Sequence, residues 1–180
     1  VETGVLEKNP AKRVQGGRRP TEHARSFLTL AEIDQLLKSI EDTTNSGLRD
    51  KALILTMLGC ACSETDLTRA QIGDLKKTDK HWTLSVQGKG KSIKDEAITV
   101  PKTTMDAIDA YLKSRGTDLP PEAPLFLSYS NRTLHQSMSI RGIREAINLR
   151  LKSSNVKRGR DLKLTPFSLR HTAGIMMAES

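Results

Sequence analysis

Residues 49–75, RDKALILTMLGCACSETDLTRAQIGDL, decide the fold. The stretch from Leu48 to Cys60 is apolar on nearly every side, which is typical of a helix at the centre of a domain. Ser63 and Asp66 follow with the spacing of a capped helix start, so a second, shorter helix is predicted directly after the first. A helix that is apolar all round needs other elements to cover each of its faces.

The surrounding elements can be predicted from the periodicity of the remaining sequence. Thr29 and Glu32 have capping-box spacing at the start of a helix that ends near Asp42. Two alternating stretches, 82–86 and 98–100, flank the Gly- and Lys-rich loop QGKGKSIKDEA and predict a β-hairpin. Further helices are predicted over 105–112, over 140–147 and from Thr165-Pro166 onward, and a short extended segment over 124–130. The predicted fold class is mainly α with a small antiparallel β-sheet (α+β).

The chain carries an excess of basic residues. Among its 180 residues, 29 Lys and Arg stand against 21 Asp and Glu, a formal net charge of +8. This balance favours a polyanionic partner such as nucleic acid or an anionic membrane surface, the alternative being a merely soluble basic protein. The longest apolar run is too short to span a bilayer and no stretch has the pattern of a secretory signal, so a cytoplasmic protein is expected.

The two cysteines, Cys60 and Cys62, are separated by a single residue at the end of the apolar stretch. A C-x-C pair without further cysteines cannot form a closed zinc site. Both are therefore expected to be buried structural thiols in a reducing compartment. No metal and no other cofactor is expected.

Three segments, in this order, resemble the tyrosine recombinases, the family that includes phage and transposon integrases. Residues 49–75 are similar to box I, a buried helix followed by a G-L-R-x-S-E-L turn and helix. Residues 86–101, VQGKGKSIKDEAITVP, resemble the β-hairpin with its G-K-G lysine, and residues 164–174, LTPFSLRHTAG, resemble box II, usually T-P-H-x-L-R-H-T. The resemblance implies a tyrosine-recombinase catalytic-domain-like fold and a function in DNA integration and recombination by DNA breaking and rejoining.

The resemblance also implies a domain organisation. GVLEKNPAKRV, residues 4–14, is similar to the end of the family's core-binding domain, and RSFLTLAEIDQLL, residues 25–37, to its first catalytic-domain helix. Residues 1–26 are therefore expected to be the end of a core-binding domain and a linker, and residues 27–180 the catalytic domain. Because the family's nucleophilic tyrosine lies well beyond box II, a chain that ends at Ser180 is expected to stop before it.

The family's chemistry assigns roles to the matching residues. A tyrosine attacks a DNA phosphodiester and forms a 3′-phosphotyrosyl link, two arginines and a histidine neutralise the phosphate oxygens, and a lysine protonates the leaving 5′ hydroxyl. Lys89 matches the lysine, with Lys91 as the alternative because the hairpin loop is longer than usual. Arg170 matches the second arginine. Tyr111 and Tyr129 precede box II and are expected to be structural.

Position 63 departs from the family pattern. Counting from both ends of box I places the first arginine at Ser63, and an alternative register places it at Ala61, so neither restores a charge. Ser63 is expected to cap a helix, with Asp66 as the matching acidic residue of box I in a capping or supporting role. Arg69, further along the same helix, is an alternative source of the charge, the other interpretation being a solvated helix charge. Losing one preorganised donor typically lowers a rate about 100- to 1000-fold.

Position 167 is the second departure, because Phe167 occupies the place of the box II histidine. On a helix it lies one turn from Arg170 on the same face. A phenyl ring cannot donate a hydrogen bond, although it can pack against a guanidinium group. His171 lies about 100° further round the helix and is expected to make a structural hydrogen bond.

DNA contacts are expected in the hairpin, on the polar side of the 140–147 helix and in the basic loop after it. The residues are Lys89, Lys91, Lys94, Arg141, Arg144, Lys157, Arg158 and Arg160. They are expected to touch mostly phosphates of double-stranded DNA, on which the protein is expected to form a homo-oligomer. The main hypothesis is a DNA-binding catalytic-domain fragment of a site-specific recombinase. The alternatives are a catalytically degenerate, recombinase-derived DNA-binding protein and an unrelated basic helical domain.

Overall fold

The computed structural model describes residues 26–88, 91–157 and 163–179, which form six α-helices and one three-stranded sheet. The elements in chain order are α1 (Leu30–Lys38), α2 (Asn45–Cys60), α3 (Glu64–Arg69), β1 (Leu75–Lys77), β2 (Trp82–Val86), β3 (Glu96–Val100), α4 (Lys102–Arg115), α5 (Ile140–Ser153) and α6 (Pro166–Ala178). A 3₁₀ turn, Ile72–Asp74, leads from α3 into β1. The predicted α+β class is confirmed. The predicted domain boundary near residue 26 falls at the edge of the described residues, and residues 1–25 lie outside them.

Helix α2 lies at the centre of the fold and packs against α4, α5, α6 and β3. Its residues Leu53, Ile54 and Met57 are fully buried. They share one apolar core with Ile108 of α4 and Leu169 of α6. Burying each such side chain contributes about 1.5–3 kcal/mol, so the central helix predicted from its apolar sequence is also the main source of hydrophobic stability.

Helix α1 starts at its predicted cap, but it ends at Lys38 and not near Asp42 as predicted. Ile40 is buried outside the helix, so the apolar spacing extended the prediction too far. Thr29 and Glu32 form the capping box of α1, with the Thr29 N–H donating to Glu32 Oε2 over 2.8 Å. Helix α2 starts three residues before the predicted apolar run, because the Thr44 hydroxyl accepts the Gly47 N–H at 3.1 Å. Helix α4 ends at Arg115 and is capped by Gly116, whose φ of 127° is a conformation that favours glycine.

The sheet is antiparallel in the order β1-β2-β3. Leu84 at its centre pairs with Leu75 on one side and Ile98 on the other. The predicted hairpin of β2 and β3 is confirmed, whereas β1 was not predicted. Three residues, two of them lysines, are too few to show an alternating pattern, and lysines are common on edge strands.

The connection between α4 and α5 is held by tyrosines. The predicted extended segment over 124–130 contributes only isolated bridges, from Pro124 to Gln71 and from Leu127 to Ser137. Tyr111 is fully buried and accepts the Leu127 N–H at 3.1 Å, and Tyr129 donates to the Tyr111 hydroxyl over 3.4 Å. Burial raises the pKa of Tyr111 well above its usual range. Both tyrosines thus have structural contacts, as predicted.

A buried ion cluster joins α2 to α5. One carboxylate oxygen of Asp50 accepts Arg49 Nε at 2.9 Å and Nη2 at 2.6 Å, and the other accepts Arg150 Nε at 2.8 Å. Arg49 also donates to the Leu127 carbonyl over 3.0 Å. Arg49 and Asp50 are buried. Because the carboxylate is satisfied from both sides, the cluster sets how α2, α5 and the 124–130 segment meet.

In the part of the chain that the structure describes, no helix combines the length and apolar character needed to cross a membrane.

Replacing Asp50 with Asn should destabilise the fold by about 3–5 kcal/mol, because the buried guanidinium of Arg49 and the partly buried one of Arg150 lose their counter-charge. The measurement is the free energy of unfolding from urea titration. Asp34→Asn is the matched control: Asp34 forms an exposed i,i+4 pair with Lys38, so its loss should change stability by less than about 1 kcal/mol. Equal effects of the two substitutions would contradict the role given to the cluster.

Candidate nucleic-acid interface

The box I turn is built around the cap of α3. Helix α2 ends at Ala61, whose φ of 51° is left-handed. Ser63 then caps α3: its N–H and its hydroxyl both donate to Asp66 Oδ2, at 2.7 and 2.6 Å, and its oxygen accepts the Asp66 N–H at 3.3 Å. The predicted capping roles of Ser63 and Asp66 are confirmed. Binding a phosphate through Ser63 would require it to give up this cap.

The two cysteines pack beside that turn as buried free thiols, as predicted. Hydrogen bonding to Cys60 and burial raise the pKa of the Cys62 thiol far above its usual range. The positive charge of Arg170 opposes this shift, which shows that box II lies close to the box I turn. The fold therefore brings together the two segments that carry the family's arginines.

Helix α6 presents its box II residues outward because its other face is buried. Ser168, Leu169 and Thr172 are buried, and the Thr172 hydroxyl accepts the Leu28 N–H at 2.9 Å. Arg170 is exposed, and Phe167, one turn earlier, is 42% exposed. The predicted common face of these two residues is confirmed.

His171 points elsewhere on α6. Its ring meets Phe27 edge to face, with ring centroids 6.4 Å apart. This ring contact fastens α6 to the segment before α1. The structural hydrogen bond expected of His171 stays a prediction.

A cleft of about 640 Å³ lies beside Phe167, between α5 and the start of α6, and is named here the α5–α6 cleft. It is lined by Glu64, Arg144, Asn148, Lys152, Lys157, Lys163, Thr165, Pro166 and Phe167. Four of these residues are cationic and one is acidic. Arg144 and Lys157 were predicted from the sequence as DNA contacts, and Lys152 begins the predicted contact loop 152–160, whereas Lys163 was not among the predicted contacts. Its position two residues before Thr165, at the end of the basic loop, was the available signal.

Each cation in the cleft has a distinct environment. Arg144 Nε donates to Glu64 Oε1 over 3.0 Å, which links α5 to the start of α3. Lys157 Nζ donates to Asn148 Oδ1 over 3.0 Å. Burial, with a further contribution from the nearby Lys163, lowers the pKa of Lys157. Within the described ranges, neither Lys157 nor Lys163 forms a salt bridge, so no described carboxylate pairs with either ammonium group.

The hairpin lysines that the structure describes, Lys91 and Lys94, pair with acidic residues of the protein. Lys89 lies outside the described residues. Lys91 pairs with Asp95 at 2.6 Å, which raises the pKa of Lys91, and Lys94 pairs with Asp74 and donates to the Arg69 carbonyl over 2.7 Å. The described hairpin lysines are therefore bound to neighbouring protein groups.

Two other predicted cations that the structure describes, Arg69 and Arg141, do not line the α5–α6 cleft. Arg69 donates to Gln87 Oε1 over 2.8 Å and so contacts the hairpin end of β2. Arg141 pairs with Glu145 at 2.7 Å and lines a different cleft, together with Tyr129. Arg158 and Arg160, like Lys89, lie outside the described residues.

The fold and the clustering of box I and box II define a tyrosine-recombinase catalytic domain. The sequence profile of the phage integrase family matches residues 26–180. The chain belongs to this family.

Curated relatives are tyrosine recombinases. XerC of Caldanaerobacter subterraneus subsp. tengcongensis is 30% identical over 174 residues, which are 96% of this chain and 45% of that protein. XerC of Salmonella typhi is 26% identical over 181 residues, 100% of this chain and 55% of that protein. The chain thus spans about half the length of the curated relatives that it matches.

Solved structures confirm the predicted fold. The crystal structure of XerA recombinase aligns with a TM-score of 0.67 at 20% identity, covering 91% of this chain and 52% of that chain. The Tn1549 transposon integrase, in complex with transposon right end DNA, aligns with a TM-score of 0.68 at 18% identity, covering 97% of this chain and 60% of that chain. At such low identities the likeness speaks for the fold alone.

Lys157→Gln should stabilise the folded chain at neutral pH. A lysine whose pKa is lowered on folding opposes folding while it is protonated in both states, and this effect disappears as pH rises through the lowered pKa toward about 10.4. The gain in the free energy of unfolding should therefore be largest near pH 7 and should shrink as the pH approaches about 10.4. Urea unfolding at several pH values measures it, and a loss of stability at pH 7 would contradict the environment described for Lys157.

Proposed function

We propose that this chain is the DNA-binding catalytic domain of a site-specific tyrosine recombinase or integrase. The observation that carries the proposal is the α5–α6 cleft, where Arg144, Lys157 and Lys163 converge next to the box II helix. Clustered cations on one face are the electrostatic footprint of a nucleic-acid partner. Relatives named tyrosine recombinase XerC, and a structural neighbour described in complex with transposon DNA, support the proposal.

Arg170 is the proposed anchor for the reacting phosphate. Its guanidinium is exposed on α6 and offers paired donors to the non-bridging oxygens, on which charge develops in the transition state. Lys89, by its match to the hairpin lysine, is the proposed general acid toward the 5′ oxygen. Ser63 uses its donors to cap α3 and Phe167 has no donor, so neither position supplies the usual charge. DNA binding is then retained while stabilisation of the transition state is weakened.

A second candidate is a recombinase-derived protein that binds DNA without cutting it. The specific observation in its favour is the simultaneous departure at Ser63 and Phe167. The two candidates share the same DNA-binding surface. They differ in whether a chain that includes a nucleophilic tyrosine forms a covalent adduct with DNA.

The finer parts of the proposal follow the family. Residues 27–180 are assigned to the catalytic domain and residues 1–26 to the end of a core-binding domain and a linker. Duplex DNA is the proposed ligand, a homo-oligomer on DNA the proposed assembly, and the cytoplasm the proposed location, where both cysteines stay reduced.

The chain should bind random-sequence duplex DNA with a strong dependence on salt. Each phosphate contact contributes about −0.9 to the slope of log Kobs against log[NaCl]. One phosphate bound by Arg144 and one shared by Lys157 and Lys163 therefore predict a slope of about −1.8 or steeper. Fluorescence anisotropy between low and moderate NaCl concentrations measures it. Absence of DNA binding, or binding that is unaffected by salt, would refute the proposal.

Restoring the family residues should raise cleavage. The test is a chimera in which the segment after box II of a XerC relative follows residue 179, with and without Ser63→Arg and Phe167→His. Two added donors should increase formation of a covalent protein–DNA adduct on a suicide substrate by at least about 100-fold. A chimera with Phe in place of the nucleophilic tyrosine is the control for the assay. If neither the parent chimera nor the restored one forms adduct, the non-cleaving alternative is supported instead.

A further inference from the structure

Positions 63 and 167 lack the charged side chains of the family pattern, but cationic side chains lie near both positions. The α5–α6 cleft borders both departures, since Glu64 directly follows Ser63 and Phe167 lines the cleft itself. We propose that Arg144, Lys157 and Lys163 form a phosphodiester-binding subsite beside Arg170, which supplies charge that the box I arginine and box II histidine would otherwise provide. This inference rests on the proposed function, because it names the residues that hold the DNA backbone at that site.

Arg144 lines the cleft and is held in place by an ion pair with Glu64. Its Nε is bonded to Glu64, whose side chain is only 13% exposed and so forms a fixed support. Among the described residues its Nη nitrogens make no hydrogen bond, and the side chain is 59% exposed. A guanidinium held at Nε retains donors in a planar arrangement that matches phosphate oxygens. The salt bridge therefore reduces the conformational freedom that Arg144 would lose on binding.

The two lysines supply charge that the described parts of the protein do not neutralise. Asn148 positions Lys157 through a neutral amide, which fixes the ammonium group without cancelling its charge. Lys163 lies close enough to disfavour protonation of Lys157. An anion placed between the two ammonium groups would relieve this repulsion. The pair is thus more favourable with a phosphate bound than without one.

Phe167 contributes an apolar boundary to the same cleft. Its ring lies at the box II end, one turn before Arg170. Apolar surface beside a charged group lowers the local dielectric and strengthens its attraction for an anion. Phe167, which stands at the position expected for the family's histidine, can therefore strengthen the attraction of Lys157 and Lys163 for a phosphate in the same cleft.

The test is binding of the 180-residue chain to dye-labelled random-sequence duplex DNA, measured by anisotropy over a range of NaCl concentrations. The variants are Arg144→Gln and the double variant Lys157→Gln/Lys163→Gln. Each should weaken binding roughly 5- to 10-fold at 0.1 M NaCl and make the salt slope less negative by about 1. Arg144→Lys keeps the charge but not the planar donors and should fall between wild type and Arg144→Gln.

The control is Lys102→Gln/Lys113→Gln, which removes the same charge as the double lysine variant from exposed sites on α4. It should change the affinity less than twofold. Thermal unfolding followed by circular dichroism verifies that every variant is folded. Equal weakening by the cleft and control variants would overturn the subsite, while loss of salt-dependent binding in the wild type would instead overturn the proposed function.

Lys157 and Lys163 are expected to act on the same phosphate, which a double-mutant cycle can detect. The double variant should lose clearly less affinity than the product of the two single losses, because either single substitution already disrupts the shared contact. Multiplicative losses would show two independent contacts and overturn the shared subsite. Displacement of DNA by inorganic phosphate beyond that by chloride at equal ionic strength would assign the cleft to free phosphate and likewise overturn it.

Discussion

The shared carboxylate of Asp50 is the interaction on which the rest of the structure depends. Arg49 and Arg150 bind its two oxygens from opposite directions inside the core, so α2 and α5 have one relative position. The apolar side chains of α2 could pack in several ways, whereas a buried ion cluster is satisfied in very few. We infer that this cluster specifies the position of α5, and with it the reach of Arg144 toward α3.

The turn at the end of α2 shows what serine contributes at position 63. Serine is among the best N-cap residues and contributes about 1 kcal/mol to the helix that it starts, here through reciprocal bonds with Asp66. Arginine cannot form this cap. At this position, capping the helix and neutralising a bound phosphate require different side chains, and serine serves the cap.

In the α5–α6 cleft, by contrast, the side chains that are present lower stability. Lys157 and Lys163 lie close together without a carboxylate between them in the described residues, an arrangement that opposes folding. Stability is commonly lower where groups are arranged for a ligand, and stabilising substitutions at such positions tend to reduce function. The cations of this cleft thus lie on α5 and in the residues between α5 and α6.

Local features of the sequence predicted much of this structure. The apolar run of α2 and the caps at Thr29 and Ser63 depend on residues within a few positions of each other. Strand β1 carries no such signal in three residues. The Arg144–Glu64 pair joins residues 80 positions apart, and no local pattern indicates which acidic residue an arginine on α5 will meet. The site residues could therefore be proposed individually, but their convergence required the fold.

NMR titration of the isotopically labelled chain with duplex DNA tests the central claim most directly, because it reports every contacted residue at once. The largest chemical-shift changes are expected for Arg144, Lys157, Lys163 and Arg170, with signals of α4 nearly unchanged. Changes concentrated on α4, with the signals of the α5–α6 cleft unmoved, would contradict the assignment of this cleft to the DNA backbone.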